Sequence, residues 1–214
     1  MINLQDISAS VQEGNAKRIE FLVVRALKDN LPPAEILKNG LAAGMIEMGR
    51  KFQKKEVLDS EVIIAEWAMK AGLQILMPVI KHEQKAFLGV VIVGTLEGDI
   101  RETEKDLISC LMQSQGLKVI DLGTSVSNIR FIEAAIEEKA DIIACNTALT
   151  IFLPQMKSLV QAAIQADIRN KTKVLLLGGP VTEWFCKCIE ADIYAADPIH
   201  AAEIAAAHCK KIRG

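Results

Sequence analysis

Leu88-Gly89-Val90-Val91-Ile92-Val93-Gly94-Thr95-Leu96-Glu97-Gly98-Asp99-Ile100-Arg101-Glu102-Thr103-Glu104-Lys105 is the stretch that decides the fold. It opens with an apolar run, Leu88 to Val93. A turn with glycines at 94 and 98 follows, and a helical pattern then runs from Glu102 to Gln115. A short apolar run bounded by turn residues reads as a buried strand. Glycines in the loop behind it permit a tight turn and the close approach of a ligand. The alternation then repeats. Val119 to Leu122, Asp141 to Cys145, Val174 to Leu177 and the weaker Asp192 to Ala195 are the further apolar runs. Ser127 to Glu138, Pro154 to Ala166, Val181 to Ile189 and Pro198 to Ile212 carry helical spacing. Strands separated by helices predict an α/β, doubly wound, five-stranded parallel sheet of Rossmann-like (flavodoxin-like) type over residues 85–214. Ligands of such sheets bind outside the carboxyl ends of the strands, where connections diverge to opposite faces. The candidate loops are therefore 95–103, 146–153 and 178–182.

Residues 1–84 have a different periodicity and predict an N-terminal helical bundle. Ile19, Leu22, Val23 and Leu27 repeat at helical spacing between Gly14 and Lys28. Pro32-Pro33 breaks the chain, and Pro33 can open a short helix through Leu37. Leu41, Met45, Met48 and Phe52 mark one face of the next helix. Asp59 or Ser60 caps a long helix to about His82, with Ile63, Ile64, Trp67, Ala68, Ala71, Ile75 and Leu76 among its apolar positions and Pro78 near its end. The polar stretch Lys81 to Lys85 is the expected linker.

Composition narrows the function. Half the residues are hydrophobic but only 4% are aromatic, so the core is built from small aliphatic side chains. The net charge is -2 with both signs mixed along the chain, which argues against an electrostatic grip on nucleic acid. No continuous apolar run reaches the ~18 residues of a membrane span, and Met1 to Ser10 lacks the basic start and apolar stretch of a signal peptide. Five cysteines, an odd number placed in buried-type patterns, fit a reduced cytoplasmic setting. The first loop is neither G-x-G-x-x-G nor a phosphate-binding P-loop.

The order of the two halves and several segments resemble the cobalamin-binding (corrinoid) proteins of methyltransferase systems. In the first half the similar segments are Gly44-Met45-Ile46-Glu47-Met48-Gly49-Arg50-Lys51-Phe52 and Ala68-Met69-Lys70-Ala71-Gly72-Leu73. In the second they are Gly94 to Asp99, Val119 to Gly123, Pro154 to Lys157, Gly178-Gly179-Pro180-Val181-Thr182, and Tyr194 to Asp197, which matches the loop after the last strand. The resemblance implies a helical cap above a cobalamin domain. The cofactor's dimethylbenzimidazole sits on a nucleotide tail threaded into the protein, and the family turn Asp-x-His-x-x-Gly supplies a His that binds cobalt from below. The family's Asp orients that His. The implied cofactor-binding residues are Gly98, Asp99, Ile100, Arg101 and Thr103 on the first loop; Asn146, Thr147, Ala148 and Leu149 on the third; Gly178 and Gly179 on the fourth; Tyr194; and Met69 toward the corrin's upper side.

This sequence departs from the pattern at the metal. Asp99 is present, but Arg101 replaces the His and Glu104 the closing Gly. The family's Ser-x-Leu falls at Asn146, Thr147 and Ala148, followed by Leu149. An Arg keeps its proton and has no lone pair, so it cannot bind cobalt. Three outcomes stay open: cobalamin bound with its tail buried and no metal ligand from the protein, a different nucleotide-like ligand, or an unused pocket. Gly98-Asp99, the double glycine and the intact helical half favour the first. Cys145, at the end of the third strand, is a donor type that binds transition metals, though a buried strand cysteine is the plainer reading. Cys186 and Cys188 at i, i+2 on a helix point apart. His82, His200 and His208 read as surface residues, and Trp67 as a core residue. Arg101 is expected to pair with Asp99 or Glu102, to contact a corrin amide, or to stand solvated at the helix start. The resemblance implies a corrinoid carrier with no activity by itself, partnered by a methyltransferase and a corrinoid-reducing protein. Without a donor below, its cobalt is easier to reduce. A cobalamin storage, delivery or sensing protein is the alternative.

Overall fold

The structure, a computed structural model, describes residues 2–83 and 87–213. The chain divides into two compact units, Met1–Gln84 and Lys85–Gly214.

The first unit is all helical. Helix α1 (Leu4–Gln12) starts at Asn3, whose side-chain oxygen accepts from the Gln5 amide at 3.0 Å. Asn15 caps α2 (Ala16–Lys28) in the same way, accepting from Arg18 N–H at 3.1 Å. Such caps satisfy amides that a helix start leaves without partners. A continuous helical run follows. It begins as α3 (Pro33–Glu35), passes through a wider π-helical segment (Ile36–Ala42), and continues as α4 (Ala43–Gln53). Helix α5 (Asp59–Glu83) is the longest and packs against α1, α2 and α4. Ile7 and Val11 of α1 join Ile19, Leu22, Val23, Leu41, Met48, Ala68, Leu73 and Leu76 among the buried residues.

The sequence left α1 without separate limits, although Ile7 and Val11 have helical spacing behind an Asn cap. Three side chains placed on the apolar pattern of α5 face solvent instead: Ile63, Ile64 and Trp67, the last 69% exposed. Phe52 is exposed as well. Over Asp59–Lys81, α5 is long and apolar enough to cross a membrane. Glu61, Glu66 and Lys70 interrupt it, so the sequence shows no continuous apolar run of that length. Of the expected linker, Lys81 to Glu83 are helical, and Gln84 and Lys85 lie outside the described residues.

The second unit is a five-stranded sheet in the order β2-β1-β3-β4-β5, every pair parallel. The strands are β1 (Val90–Thr95), β2 (Lys118–Asp121), β3 (Ile142–Asn146), β4 (Lys173–Leu177) and β5 (Ile193–Ala195). Helices α6 (Thr103–Ser114), α7 (Asn128–Glu137), α8 (Leu153–Gln165) and α9 (Glu183–Cys188) connect them, and α10 (Pro198–Arg213) follows β5. Right-handed crossovers fix which face each helix covers. The step from β1 to β2 runs one way across the sheet, and every later step runs the other way. Ile92, Ile143, Cys145, Val174 and Leu176 accordingly share one core with Phe131 of α7, Leu159 of α8 and Cys186 of α9. Helix α6 packs on α10, leaving this pair to the opposite face. The connections therefore diverge between β1 and β3, whose last residues, Thr95 and Asn146, are register partners.

Two of the helical glycines are close-packing points. A Cβ on Gly44 of α4 would stand 2.7 Å from the Ser8 carbonyl oxygen, and one on Gly72 of α5 would stand 2.7 Å from a Leu41 methyl. Gly49, also in α4, has nothing within 4 Å of that position. Gly44→Ala should thus destabilise by about 1–3 kcal/mol, because backbone cannot yield as a methyl can. Gly49→Ala should stabilise by up to about 1 kcal/mol through helix propensity alone. Urea unfolding of the two variants reads this sign reversal directly.

Candidate functional site

The loop after β1 is built around Asp99. Gly98 precedes it at φ 87°, a backbone region that side chains other than glycine avoid. That turn folds Asp99 back, and its amide donates to the Leu96 carbonyl at 2.9 Å. Asp99 is 3% exposed, and a buried carboxylate needs partners. It has them in Arg101: the backbone N–H donates to Oδ1 at 3.1 Å, Nε to the same oxygen at 2.9 Å, and an Nη to Oδ2 at 2.6 Å. This is the two-pronged guanidinium–carboxylate geometry. Asp99, one of the partners the sequence offered for Arg101, is thus bonded to it.

The same loop is stitched to the loop after β2. Thr95 Oγ1 donates to the Asp99 carbonyl in a very short contact. Ser125 N–H donates to Thr95 Oγ1 at 2.9 Å and to the Asp99 carbonyl at 3.0 Å. Ser125 Oγ accepts from the Gly98 amide at 2.9 Å. Ser125 does this at φ 54°, so its own backbone is held in a sparsely used region. Its role was not read from sequence; the turn residues Gly123-Thr124-Ser125 after an apolar run are the signal that marks it.

At the start of α6, Thr103 is buried and Lys105 is buried nearly completely. The Lys105 ammonium reaches the Asp106 carboxylate at 2.7 Å and makes a shorter contact with Asp121 at the end of β2. Burial alone lowers the Lys105 pKa, but its bonds to Asp106 and Asp121 outweigh that and raise it. The first turn of α6 is thereby fixed to the sheet.

Asn146, at the end of β3, donates from Nδ2 to Glu104 Oε2 at 2.9 Å. A carboxylate only accepts, so this contact fixes which way the amide faces. Asn146 is 4% exposed, and its Oδ1 finds no partner among the described residues. Thr147 is fully buried; its Oγ1 accepts from the Leu149 amide at 3.2 Å. Ala148 and Leu149 are exposed. Ile100 is exposed by 77%, Ile151 by 69% and Trp184 by 75%. These apolar side chains sit on the loops and helix starts at the carboxyl end of the sheet. Ile151 and Trp184 were not picked out from sequence, where an exposed and a buried apolar residue look alike.

Tyr194 and Ala195 belong to strand β5 itself rather than to a loop after it, and Tyr194 packs on the sheet core. In the strand order, β4 separates β5 from β3, and β3 and β4 separate it from β1. Gly178, at φ 125°, has a reason for being glycine other than a ligand: a Cβ there would stand 1.8 Å from the Thr147 carbonyl oxygen. Gly179 is exposed, with nothing within 4 Å of its Cβ position. Met69 is buried in the helical unit. Cys145 is buried, and burial together with the Asp99 charge pushes its thiol far up, which keeps it protonated. Cys186 is pushed up to about 11 by burial and then by Glu183.

Comparison with known proteins agrees with this geometry. Residues 4–77 match one B12 binding domain family and residues 89–206 match a second. The chain belongs to the B12-binding proteins. It is 38% identical over 182 residues to the dimethylamine corrinoid protein of Methanosarcina barkeri, covering 84% of both chains. It is 34% identical over 187 residues to trimethylamine corrinoid protein 2 of Methanosarcina acetivorans, covering 86% of both. Among solved structures it is similar to the monomethylamine corrinoid protein of Methanosarcina barkeri, with a TM-score of 0.78, 25% identity and coverage of 94% of this chain and 95% of that one. The cofactor of this B12-binding chain is cobalamin, and the residues at the crevice fit such a molecule. A buried acceptor without a partner stands at the end of β3, exposed apolar side chains lie along the carboxyl edge, and a corrinoid offers amide and hydroxyl donors beside a broad apolar surface.

The two glycines of the fourth loop should respond differently to Ala. Gly178→Ala combines a disfavoured φ with a collision against backbone, and should cost about 2 kcal/mol or more, or about 5 °C in Tm. Gly179→Ala should change stability by less than about 0.5 kcal/mol. Thermal unfolding followed by circular dichroism separates the two.

Proposed function

We propose that this chain is the corrinoid-carrying subunit of a methyltransferase system, binding cobalamin base-off and giving its cobalt no ligand from the β1 turn. The observation that carries the reading is the buried, unpartnered acceptor of Asn146 at the end of β3, on the same sheet edge as the exposed apolar side chains of Ile100 and Leu149. The likeness to methylamine corrinoid proteins over most of both chains supports the carrier role. The partner is then a separate methyltransferase, with a corrinoid-reducing protein to restore the carrier.

When bound, the corrinoid supplies a cobalt that takes up a methyl group and yields it to an acceptor. The chain's own residues do the rest. The Gly98 turn brings backbone close to the ligand. Ile100 and Leu149 offer apolar contact, and Asn146 offers an acceptor. The Arg101 guanidinium has no lone pair and is turned onto Asp99, so position 101 holds a charge in place and donates nothing to a metal. A metal lacking a donor on one side is less stabilised in its higher oxidation states, so the chain supports reduction better than a carrier with a His there.

The test is electron paramagnetic resonance of the cobalamin-loaded protein in the cobalt(II) state. The spectrum should lack nitrogen superhyperfine splitting, and clear splitting from one nitrogen would sink the proposal. Arg101→His should introduce that splitting, because Asp99 loses its guanidinium and can take an imidazole N–H instead. The variant should also be harder to reduce.

A further inference from the structure

We infer that the Glu104–Asn146 pair sets which corrinoid the chain prefers, by making the entry of a nucleotide tail into the β1–β3 crevice depend on breaking that bond. The inference rests on the corrinoid-binding reading above. Asn146 ends β3 and is the register partner of Thr95, the last residue of β1. Glu104 stands in the first turn of α6, which leaves β1 for the opposite face of the sheet. Their 2.9 Å hydrogen bond joins residues 42 apart and spans the divergence that makes the crevice. A carboxylate–amide bond of this kind is charge-assisted and stronger than one between neutral groups.

The bond cannot drift aside. Lys105, the next residue, is tied to Asp121 of β2 and to Asp106. On the other side, Thr147 donates its amide to the Leu177 carbonyl at 3.2 Å, and its carbonyl lies against Gly178. Both backbones that carry the pair are thus held, and the crevice opens only if the side chains part. A broad ring resting on exposed Ile100 and Leu149 has no access to a residue 4% exposed, and a thin polar appendage gains it only when the pair parts. Cobalamin carries such an appendage, its ribose phosphate and base, and cobinamide lacks it. The two ligands share the corrin ring and differ at the feature that must pass Glu104. Once the bond is broken, Asn146 presents a donor as well as its already open acceptor, which makes it a contact for ribose hydroxyl and phosphate oxygens.

The experiment is titration of the ligand-free full chain with hydroxocobalamin and with aquocyanocobinamide, followed by absorbance, for wild type, Glu104→Ala, Asn146→Ser and the double variant. Circular dichroism checks that each folds. The ratio of the cobalamin Kd to the cobinamide Kd should fall about tenfold or more in Glu104→Ala, since a charge-assisted bond no longer has to be broken. Asn146→Ser removes the same bond but also the amide that meets the tail, so the ratio should fall less than in Glu104→Ala, and adding Glu104→Ala to it should change the ratio little, because the bond is already gone. If both corrinoids bind and neither substitution moves the ratio, the pair does not govern tail entry and this inference is overturned alone. If wild type binds neither corrinoid, the corrinoid-binding reading is overturned and the inference with it.

Discussion

A carboxylate taken out of water must be paired, and Asp99 is the carboxylate on which this domain's ligand edge is organised. Its oxygens accept three N–H groups from Arg101, and its carbonyl accepts from Thr95 and Ser125. Those contacts do two things together. They close the turn after β1, and they tie it to the turn after β2. Without a cation or other donor at position 101, the buried charge would lose most of what offsets its desolvation. The turn is therefore tolerant of which donor stands there, but not of having none.

That tolerance explains how a turn of this kind can lose a metal-binding imidazole and keep its shape. An imidazole N–H and a guanidinium both donate to a carboxylate. Only the imidazole keeps a second nitrogen with a lone pair for a metal. Exchange of one for the other preserves the structural half of the role and removes the coordinating half. On the proposed reading the change falls on the chemistry at cobalt and leaves the turn as it was.

Much of the architecture was legible in the sequence, because a parallel sheet buried on both faces writes itself as apolar runs. Each expected strand appears within about two residues of its place; β1, at Val90–Thr95, lies two residues later at both ends than the run Leu88 to Val93. Helix limits were nearly as clear where Pro33, Pro154 and Pro198 mark starts. What could not be read was which apolar residues face inward. Trp67 and Met69 are two apart on α5, yet one is exposed and the other buried. The reason for Gly178 was hidden as well, since the Thr147 carbonyl it accommodates lies on a different strand end. Local pattern reports a residue's own element. It does not report what folding brings against it.

The departures from the family turn bear on whether the site is still in use. Arg101 meets Asp99, and Glu104 meets Asn146. Each introduced charge has been given a partner, in a crevice where an unpaired one is costly. Stability alone can demand this much, so the pairs by themselves do not argue for a ligand. Asn146 Oδ1 is different. The amide nitrogen serves Glu104, but folding gains nothing from the buried oxygen left without a partner. Ile100, Ile151 and Trp184 on the same edge of the sheet are likewise left in water at a cost in hydration. An edge that keeps a polar group unmatched inside and apolar groups uncovered outside is stable enough to fold, and it lowers its free energy further only when a molecule with both kinds of surface comes to rest on it.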